Sequence, residues 1–486
     1  MPSEPNKILF KPRYQLCTRR NWPERKMNVT LTNKESELCN FLILVTQFIK
    51  ENYPELPIVE LRIAGGWVRD KLLGYECNDL DIAINSMMGY EFGEHVNNCL
   101  RLKGYATEGI HKIELNPDKS KHLETATTKI FGYEIDFVNL RSEEYAEDSR
   151  IPSKVVKYHF YGLTIIIHNL SKAIQNLFFN DRTFGTPEQD AYRRDLTINA
   201  LFYNIHTCQV EDPTKKGIHD LENGLIRTPL EPFETFNDDP LRVLRCIRLA
   251  SKFNFLIDES IWIAVKDERI KKAISTKVSR ERIGIEMDKM LKGPHPALSI
   301  RLIYELGLYD TIFAPPQDYY EFLDDSKTAV CLARILEWLL STSNENHLHT
   351  YLSSRIPEDI RLLYLASFLA PHKTIKILTK KKNYTSFHHV IKESLKLKSS
   401  DGDITNKLFS FVDPITTAAI KESYKIIEKY NKLVDLTIEL GIQNCFNDKP
   451  ILNGNDIATL LNIKKGIIIG EIQKSVIEWQ LENPGG

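Results

Sequence analysis

The segment LRIAGGWVRD, residues 61–70, decides the start of the fold, because an apolar run leads into two glycines and then into a helix-forming sequence. This order predicts a strand, a tight turn and a helix. The backbone N–H groups of Gly65 and Gly66 can approach a phosphate closely, and the start of the helix adds a favourable dipole. Arg69 is then placed to contact a triphosphate. The alternative is a diglycine turn that only packs the strand against the helix.

Two aspartates follow in the segment NDLDIAI, residues 78–84. Residues i and i+2 of a strand point to the same side, so Asp79 and Asp81 present two carboxylates close together. Their mutual repulsion is relieved by divalent cations, and Mg²⁺ prefers carboxylate oxygens together with substrate phosphates. Two such ions can activate a 3'-hydroxyl and stabilise a leaving pyrophosphate. The alternative for an Asp-x-Asp pair is a turn or a solvated strand edge.

A third acidic element lies in YEIDFVNL, residues 133–140, which is another predicted strand with acids at i and i+2. Either Glu134 or Asp136 could complete a catalytic metal cluster from a neighbouring strand. The sequence does not choose between them.

The segment DAYRRDLTINAL, residues 190–201, combines two adjacent arginines with a helical spacing to Asn199. It predicts a nucleotide-holding surface on which Arg193 and Arg194 contact the triphosphate. Asp195 or Asn199 would contact the ribose. A salt-bridged surface helix is the alternative.

The apolar pattern divides the chain into two regions. Before about residue 229, alternating apolar runs indicate an α/β or α+β domain and predict strands at 59–64, 80–84, 135–140 and 200–205. After Pro240, helical apolar spacing predicts an all-helical remainder with helices at 241–253, 280–291, 297–306 and 360–370.

These motifs, in this order, resemble those of class II CCA-adding enzymes and bacterial-type poly(A) polymerases, in a eukaryotic, fungal-like form. The similarity runs from about residue 61 to 307 and resumes at 453–480. It implies an α+β fold with a polymerase-β-like nucleotidyltransferase head followed by an all-helical neck, body and tail. The implied divisions are 1–58 for a leader and first helix, 59–232 for the catalytic head, 233–292 for the neck, 293–400 for the body and 401–486 for a tRNA-binding tail. Residues 155–181 are predicted to be an insertion in the head.

The segment DDPLRVLRCIR, residues 238–248, resembles the nucleotide-selecting motif of that family. Asp239 and Arg242 can lie together on a helix face. Cytosine and adenine both show an amino donor beside a ring-nitrogen acceptor, so a carboxylate and a guanidinium admit C and A and reject G and U. Aspartate before proline is also an ordinary helix N-cap. Arg245 would bind nucleotide and Arg248 would bind RNA, or both would lie on a solvated helix face.

The resemblance implies a Mg²⁺-dependent enzyme that adds C-C-A to the 3' end of tRNA from CTP and ATP. The alternatives are a poly(A) polymerase of the same superfamily, or a non-catalytic RNA-binding protein on the same fold. The polar segment near 108–124 resembles in position the loop that CCA enzymes need for switching to A, which favours CCA addition. Lys464 and Lys465 are predicted to bind RNA phosphates, with a basic surface turn as the alternative.

Composition sets few limits on function. The net charge of -1, from 64 Lys and Arg against 65 Asp and Glu, means that RNA binding requires local basic patches. Eight scattered cysteines without a C-x-x-C pair indicate reduced thiols in an intracellular protein. No apolar run is long enough to span a membrane, and no obligate protein partner is expected. The basic segment 1–26 suggests a mitochondrial pool beside cytoplasm and nucleus, or merely a basic leader.

Overall fold

The computed structural model describes residues 28–113, 125–140, 184–315, 326–340, 357–373, 375–378, 383–402, 405, 432, 436, 439, 450–463 and 466–482. The predicted insertion at 155–181, most of the polar segment near 108–124, and both Lys464 and Lys465 lie outside the described residues. The chain divides into two compact units, Met1–Ile312 and Phe313–Gly486. Within the described residues, every helix is too short or too polar to cross a lipid bilayer.

Seven strands of the described residues form one mixed sheet in the first unit, in the order β3-β4-β5-β2-β1-β6-β7. They are β1 (Leu61–Ala64), β2 (Asp79–Ile84), β3 (His111–Ile113), β4 (Thr125–Ile130), β5 (Tyr133–Asn139), β6 (Phe202–Asn204) and β7 (Gln209–Glu211). β2 and β5 run parallel, and β2 and β1 run antiparallel. The four strands predicted from the apolar runs are confirmed.

Alternation along the strands separates an apolar face from an acidic face. Leu80 and Ile82 of β2 and Phe137 of β5 are buried. They lie on the side of the sheet that is covered by α3 (Gly89–Leu102), where Phe92 packs edge-to-face on Phe137 at 5.1 Å. The aspartates of β2, one residue out of phase with Leu80 and Ile82, must therefore face the opposite side.

Helices make up most of the rest of the first unit. They are α1 (Asn33–Asn52), α2 (Gly66–Leu72), α4 (Pro187–Tyr192), α5 (Gly217–Glu222), α6 (Pro232–Asp238), α7 (Leu241–Phe253), α8 (Glu259–Val265), α9 (Glu268–Lys277), α10 (Arg280–Leu291), α11 (Pro296–Glu305) and α12 (Tyr309–Ile312). A short parallel pair joins β8 (Leu225–Ile226) to β9 (Leu256–Ile257). The helices predicted at 241–253 and 280–291 are confirmed, and the one predicted at 297–306 is shifted by one residue.

Helix α7 shows why the apolar spacing located it correctly. Val243, Leu244 and Ile247 are fully buried, so they form the apolar stripe of an amphipathic helix. Its arginines at i, i+3 and i+6 lie on the partly exposed side. The helix ends at Asn254, whose left-handed backbone (φ 55°) is a common helix terminator.

The second unit is also largely helical in its described part. Its elements are α13 (Lys327–Leu339), α14 (Pro357–Leu369), β10 (Lys376–Leu378), β11 (Asn383–Thr385), α15 (Ser386–His389), α16 (Gly454–Leu460) and α17 (Ile467–Glu482). The helix predicted at 360–370 is confirmed as α14. The antiparallel pair β10–β11 was not predicted, because three-residue strands are too short to give an alternating pattern.

A buried histidine makes the stability of the second unit depend on pH. The Nδ1 atom of His372 lies 3.1 Å from Oγ of Ser386, and the imidazole is fully buried. Burial, with a smaller contribution from the nearby His389, lowers the pKa of His372 from 6.5 to about 4. The unfolded chain therefore binds the proton more tightly than the folded chain, so stability is lost as pH falls from about 6.5 towards 4.

We expect His372→Asn, which keeps a polar group near Ser386 but cannot titrate, to remove much of this dependence. Between pH 7 and pH 4.5 the wild-type chain should lose up to about 3 kcal/mol more free energy of unfolding than the variant. Urea titrations at several pH values measure the difference. His111→Asn, at an exposed histidine, is the matched control. Equal pH slopes for wild type and His372→Asn would contradict the assignment.

Candidate active site

Two parallel strands bring the predicted acidic residues onto one face of the sheet. The register places Asp79 opposite Glu134 and Asp81 opposite Asp136. Asp136 is partly buried and accepts a hydrogen bond from Thr127 Oγ1 at 2.5 Å. Glu134 is exposed and pairs with a lysine of β4 at 3.1 Å. Asp136 is therefore the more enclosed of the two candidates and the direct neighbour of Asp81.

The ligand chemistry of this face fits a hard divalent cation. Asp79 and Asp81 supply carboxylate oxygens from one strand face, and Mg²⁺ usually completes its coordination with water and substrate phosphates. Across the described part of the chain, no group of three or more His, Cys, Asp or Glu side chains is arranged to hold a metal ion.

The diglycine turn is built around a left-handed glycine. Gly65 has φ +70°, and a Cβ there would lie 2.6 Å from Arg194 Nη1. The backbone conformation therefore favours glycine, and the absence of a side chain lets that guanidinium approach closely. The N–H of Gly65 donates to the carbonyl of Leu201 at 2.9 Å, which corrects the prediction that this group contacts a phosphate. Gly66 is partly exposed and begins α2.

Residues 193–199 do not form the continuous helix that the spacing from the arginines to Asn199 indicated. Helix α4 ends at Tyr192, Leu196 is extended, and Thr197–Asn199 forms a 3₁₀ turn. Thr197 explains the break, because its N–H donates to the carbonyl of Arg227 at 2.9 Å and its hydroxyl donates to Asp220 at 2.7 Å. These tertiary hydrogen bonds override the local helical preference.

The turn brings predicted ligand-binding residues together in the protein interior. Arg69 Nη1 donates to Asn199 Oδ1, and Asn199 Nδ2 donates to Asp195 Oδ1 at 2.9 Å. Arg245 Nε donates to Asp195 Oδ2 at 2.6 Å. Polar and charged side chains of α2, of residues 195–199 and of α7 are thus joined through direct hydrogen bonds.

Two further carboxylates extend these contacts at either end. Asp70 accepts from Arg69 at 2.8 Å and pairs with Lys252 at 3.3 Å. Glu286 of α10 accepts from Arg248 at 2.5 Å and lies 4.0 Å from Arg245. We call the whole set the junction network, and its members are Arg69, Asp70, Asp195, Asn199, Arg245, Arg248, Lys252 and Glu286.

The junction network holds Asp195 ionised. Burial alone would raise the pKa of Asp195, but the Arg245 charge and hydrogen bonds from Asn199 and Arg245 outweigh it and lower the pKa well below the usual range. Arg194 lies beside the network, where it pairs with Asp190 at 2.7 Å and stands over the ring of Phe202. Arg248 is mostly buried and is held by Glu286, so it does not lie on a solvated helix face. RNA contact by Arg248 stays a prediction.

This chain is similar to known proteins in both sequence and fold. The family model "Poly A polymerase head domain" matches residues 61–227, and "Probable RNA and SrmB- binding site of polymerase A" matches 254–320. The mitochondrial CCA tRNA nucleotidyltransferase of Saccharomyces cerevisiae is 37% identical over 96% of this chain and 94% of its own length. The chain belongs to the CCA tRNA nucleotidyltransferase family. The mitochondrial CCA tRNA nucleotidyltransferase of Candida glabrata is 36% identical over 94% of both chains.

A solved structure supports the fold of this family member. The CCA-adding enzyme of Bacillus stearothermophilus, in complex with CTP, aligns over 93% of this chain and 94% of that one, with a TM-score of 0.55 and 17% identity. This likeness confirms the α+β fold class with a helical remainder. The predicted family is confirmed by the relatives in sequence.

At the start of α7, Asp239 makes the capping contact that the sequence allowed for it. Asp239 Oδ1 accepts the N–H of Leu241 at 3.2 Å, which is a cap-like hydrogen bond. Asp239 Oδ2 pairs with Arg282 at 2.8 Å, and Arg242 Nη2 donates to the carbonyl of Arg193 at 2.8 Å. The capping contact is present, and base reading stays a prediction.

Two site residues of this family member escaped the sequence reasoning. Arg282 and Glu286 of α10 contact Asp239 and Arg248. Their spacing of four residues on a predicted helix puts them on one face, and that signal could have indicated a shared role.

A double-mutant cycle tests the central ion pair of the junction network. Asp195→Asn and Arg245→Met should each destabilise the chain, because each leaves a desolvated partner without its counter-charge. Arg245 is 37% exposed, so solvent screening should limit the coupling to about 1 to 2 kcal/mol. Chemical unfolding of both single variants and the double variant measures it. The exposed pair Arg269 and Asp267 is the control and should show little coupling. Additive effects at Asp195 and Arg245 would contradict the network.

Proposed function

We propose that this chain adds C-C-A to the 3' end of tRNA, using CTP and ATP, releasing pyrophosphate and copying no nucleic-acid template. The observation that carries the proposal is the parallel register of β2 and β5, which puts Asp79, Asp81, Glu134 and Asp136 on one accessible face. β1 pairs with β2 and leads directly into Gly65, so the acidic face lies next to the diglycine turn. Full-length similarity to CCA tRNA nucleotidyltransferases favours this activity over poly(A) addition.

Asp79 and Asp81 are the proposed ligands of Mg²⁺, and Asp136, favoured over Glu134, is proposed as a further catalytic carboxylate beside them. When bound, Mg²⁺ would supply positive charge to the triphosphate and to the attacking 3'-hydroxyl. The two aspartates would hold the cation from a strand whose other face is buried, so their backbone positions are fixed by the sheet. A fixed carboxylate pair orients the reacting groups without reorganisation during the reaction.

The proposed nucleotide-binding set surrounds the diglycine turn. Arg193 and Arg194 supply guanidinium groups for the triphosphate, and Gly66 lets backbone approach it closely. Arg69, Asp195, Asn199 and Arg245 belong to the junction network, so their proposed contribution is to hold this surface as well as to contact the nucleotide. Gly65 has no side chain, and it therefore leaves space for the guanidinium of Arg194 beside the turn.

Asp239 and Arg242 are the proposed readers of the incoming base. A carboxylate accepts and a guanidinium donates several hydrogen bonds at once, so a side chain that is held by protein contacts can also contact a base edge. Arg282 and the carbonyl of Arg193 hold the two side chains in fixed directions. Such fixed donors and acceptors discriminate between bases better than mobile ones.

Lys464 and Lys465 are proposed to bind tRNA phosphates. We also propose cytoplasmic and nuclear pools and a mitochondrial pool, the last supported by the basic segment 1–26 and by the mitochondrial form of the relatives.

Extension assays test the reaction. With tRNA lacking its 3' C-C-A and with Mg²⁺, CTP alone should add cytidines only, and CTP plus ATP should complete C-C-A and then stop. Long adenosine tails from ATP alone would indicate a poly(A) polymerase. Binding of tRNA without any extension would indicate a non-catalytic RNA-binding protein.

In the same assay, Asp79→Ala or Asp81→Ala should abolish nearly all turnover while tRNA binding survives, because RNA affinity depends on basic surfaces elsewhere. Asp136→Asn should cost more turnover than Glu134→Gln, because Asp136 lies beside Asp81 and is more enclosed. Retention of more than about a tenth of wild-type turnover in the Asp79 and Asp81 variants, a barrier change below about 1.4 kcal/mol, would rule out the two-aspartate metal site.

Two substitutions separate base reading from helix capping at Asp239. If Asp239 only caps, Asp239→Ala should cost about 0.5 to 2 kcal/mol of stability, and Asp239→Asn should be nearly silent. If it reads the base, both should lower the CTP-over-UTP ratio of kcat/KM about 5- to 150-fold, because the amide presents a donor where the carboxylate accepts. Asp258→Asn is a matched control, since Asp258 also caps a helix and pairs with an arginine. A wild-type ratio in Asp239→Asn would defeat the base-reading proposal.

A further inference from the structure

Helix α2 cannot fix its own orientation. It has seven residues, and its N-cap, Gly65, provides no side-chain cap. Helices this short are unstable in isolation, so the direction of α2 depends on the tertiary contacts of its side chains. Since α2 carries Arg69 and follows the diglycine turn, whatever holds α2 also places these groups.

The side chains of α2 contact partners on opposite sides. Arg69 contacts Asn199 of the junction network on one side. Trp67 and Lys71 are four residues apart and lie on one helix face. Two residues along a helix correspond to about 200° around its axis, so the face of Trp67 points away from Arg69. α2 is therefore held between two sets of contacts.

The second set centres on Glu35 of α1. Its side chain is 3% exposed and pairs with Lys71 at 2.8 Å. Its other carboxylate oxygen accepts the indole N–H of Trp67 at 3.3 Å. Trp67 itself is buried and packs on Tyr203 of β6 with ring centroids 5.9 Å apart. One carboxylate thus contacts both side chains on this face of α2.

Glu35 is also fixed within its own helix. It forms a capping box with Thr32, in which its carboxylate accepts the N–H of Thr32 at 2.7 Å. Burial raises the pKa of Glu35, but Lys71 and the N–H of Thr32 outweigh it and lower the pKa below its ordinary value. A capping-box glutamate needs only its own helix end. Burial against a lysine and a tryptophan of another helix requires a second explanation.

We propose that Glu35 is a positioning residue, whose carboxylate holds α2 from the side opposite the junction network and thereby sets the placement of Arg69 and the diglycine turn. Glu35 precedes the stretch 61–227 that matches the family head model. The inference rests on the proposed function, because the placement of these groups is needed for nucleotide binding. Glu35 itself contacts no substrate.

Kinetics of three variants test the inference. Glu35→Gln keeps an acceptor for Trp67 but loses the charge that pairs with Lys71, and Glu35→Ala removes both. Glu37→Gln is the matched control, with the same chemical change two residues away at an exposed position of α1. All rates are compared with the wild type well below each melting temperature, so that loss of folded protein does not enter.

We expect Glu35→Gln to lower kcat/KM for CTP about 10-fold and Glu35→Ala to lower it further, because small misplacements of binding groups have large kinetic effects. The KM for tRNA should stay within about twofold in both variants, and Glu37→Gln should match the wild type. An unchanged kcat/KM for CTP in Glu35→Gln would overturn the positioning role. A rise in the KM for tRNA as large as the loss in kcat/KM for CTP would overturn it too. The wild-type measurement tests the activity itself. If the wild-type chain extends no tRNA, the proposed function is wrong, and this inference is wrong with it.

Discussion

The ion pair between Asp195 and Arg245 is the interaction on which the arrangement of the candidate site depends. Asp195 is almost completely buried, so its charge is tolerated only while Arg245 and Asn199 remain in place. Asn199 in turn holds Arg69 on α2. A rotation of α7 away from the 3₁₀ turn would therefore leave a desolvated charge and release the support of α2.

The polar residues of the candidate site are of two kinds, which differ in what holds them in place. Asp79 and Asp81 stand on a sheet face and owe their positions to the buried residues that alternate with them. Arg69, Asp195 and Arg245 lie between elements and owe their positions to one another. The first kind is held by the backbone hydrogen bonds of β1, β2 and β5, whereas the second is held by side-chain contacts. A substitution at one member of the junction network should therefore alter the positions of the other members.

The sequence predicted what short-range patterns control. Period-two alternation put Asp79 and Asp81 on one face, and the apolar stripe of α7 located that helix. Prediction failed where distant residues decide the backbone. The helical spacing of 193–199 was overridden at Thr197 by hydrogen bonds to Asp220 and Arg227. The contact of Glu35 with α2 spans more than thirty residues of sequence, and no local pattern reports it.

The junction network joins its elements through charged side chains, although stability alone does not demand charge at such a position. The two ions of a buried pair lose their solvation, and their mutual attraction offsets that loss only in good geometry. Replacing such a pair by apolar side chains is therefore often neutral or stabilising for the fold. Charged contacts differ from apolar ones in being directional, because a guanidinium and a carboxylate pair well in few orientations. Apolar packing between the 3₁₀ turn and α7 would allow sliding. The pair formed by Asp195 and Arg245 instead fixes how the turn faces α7, and Asn199 transmits that orientation to Arg69.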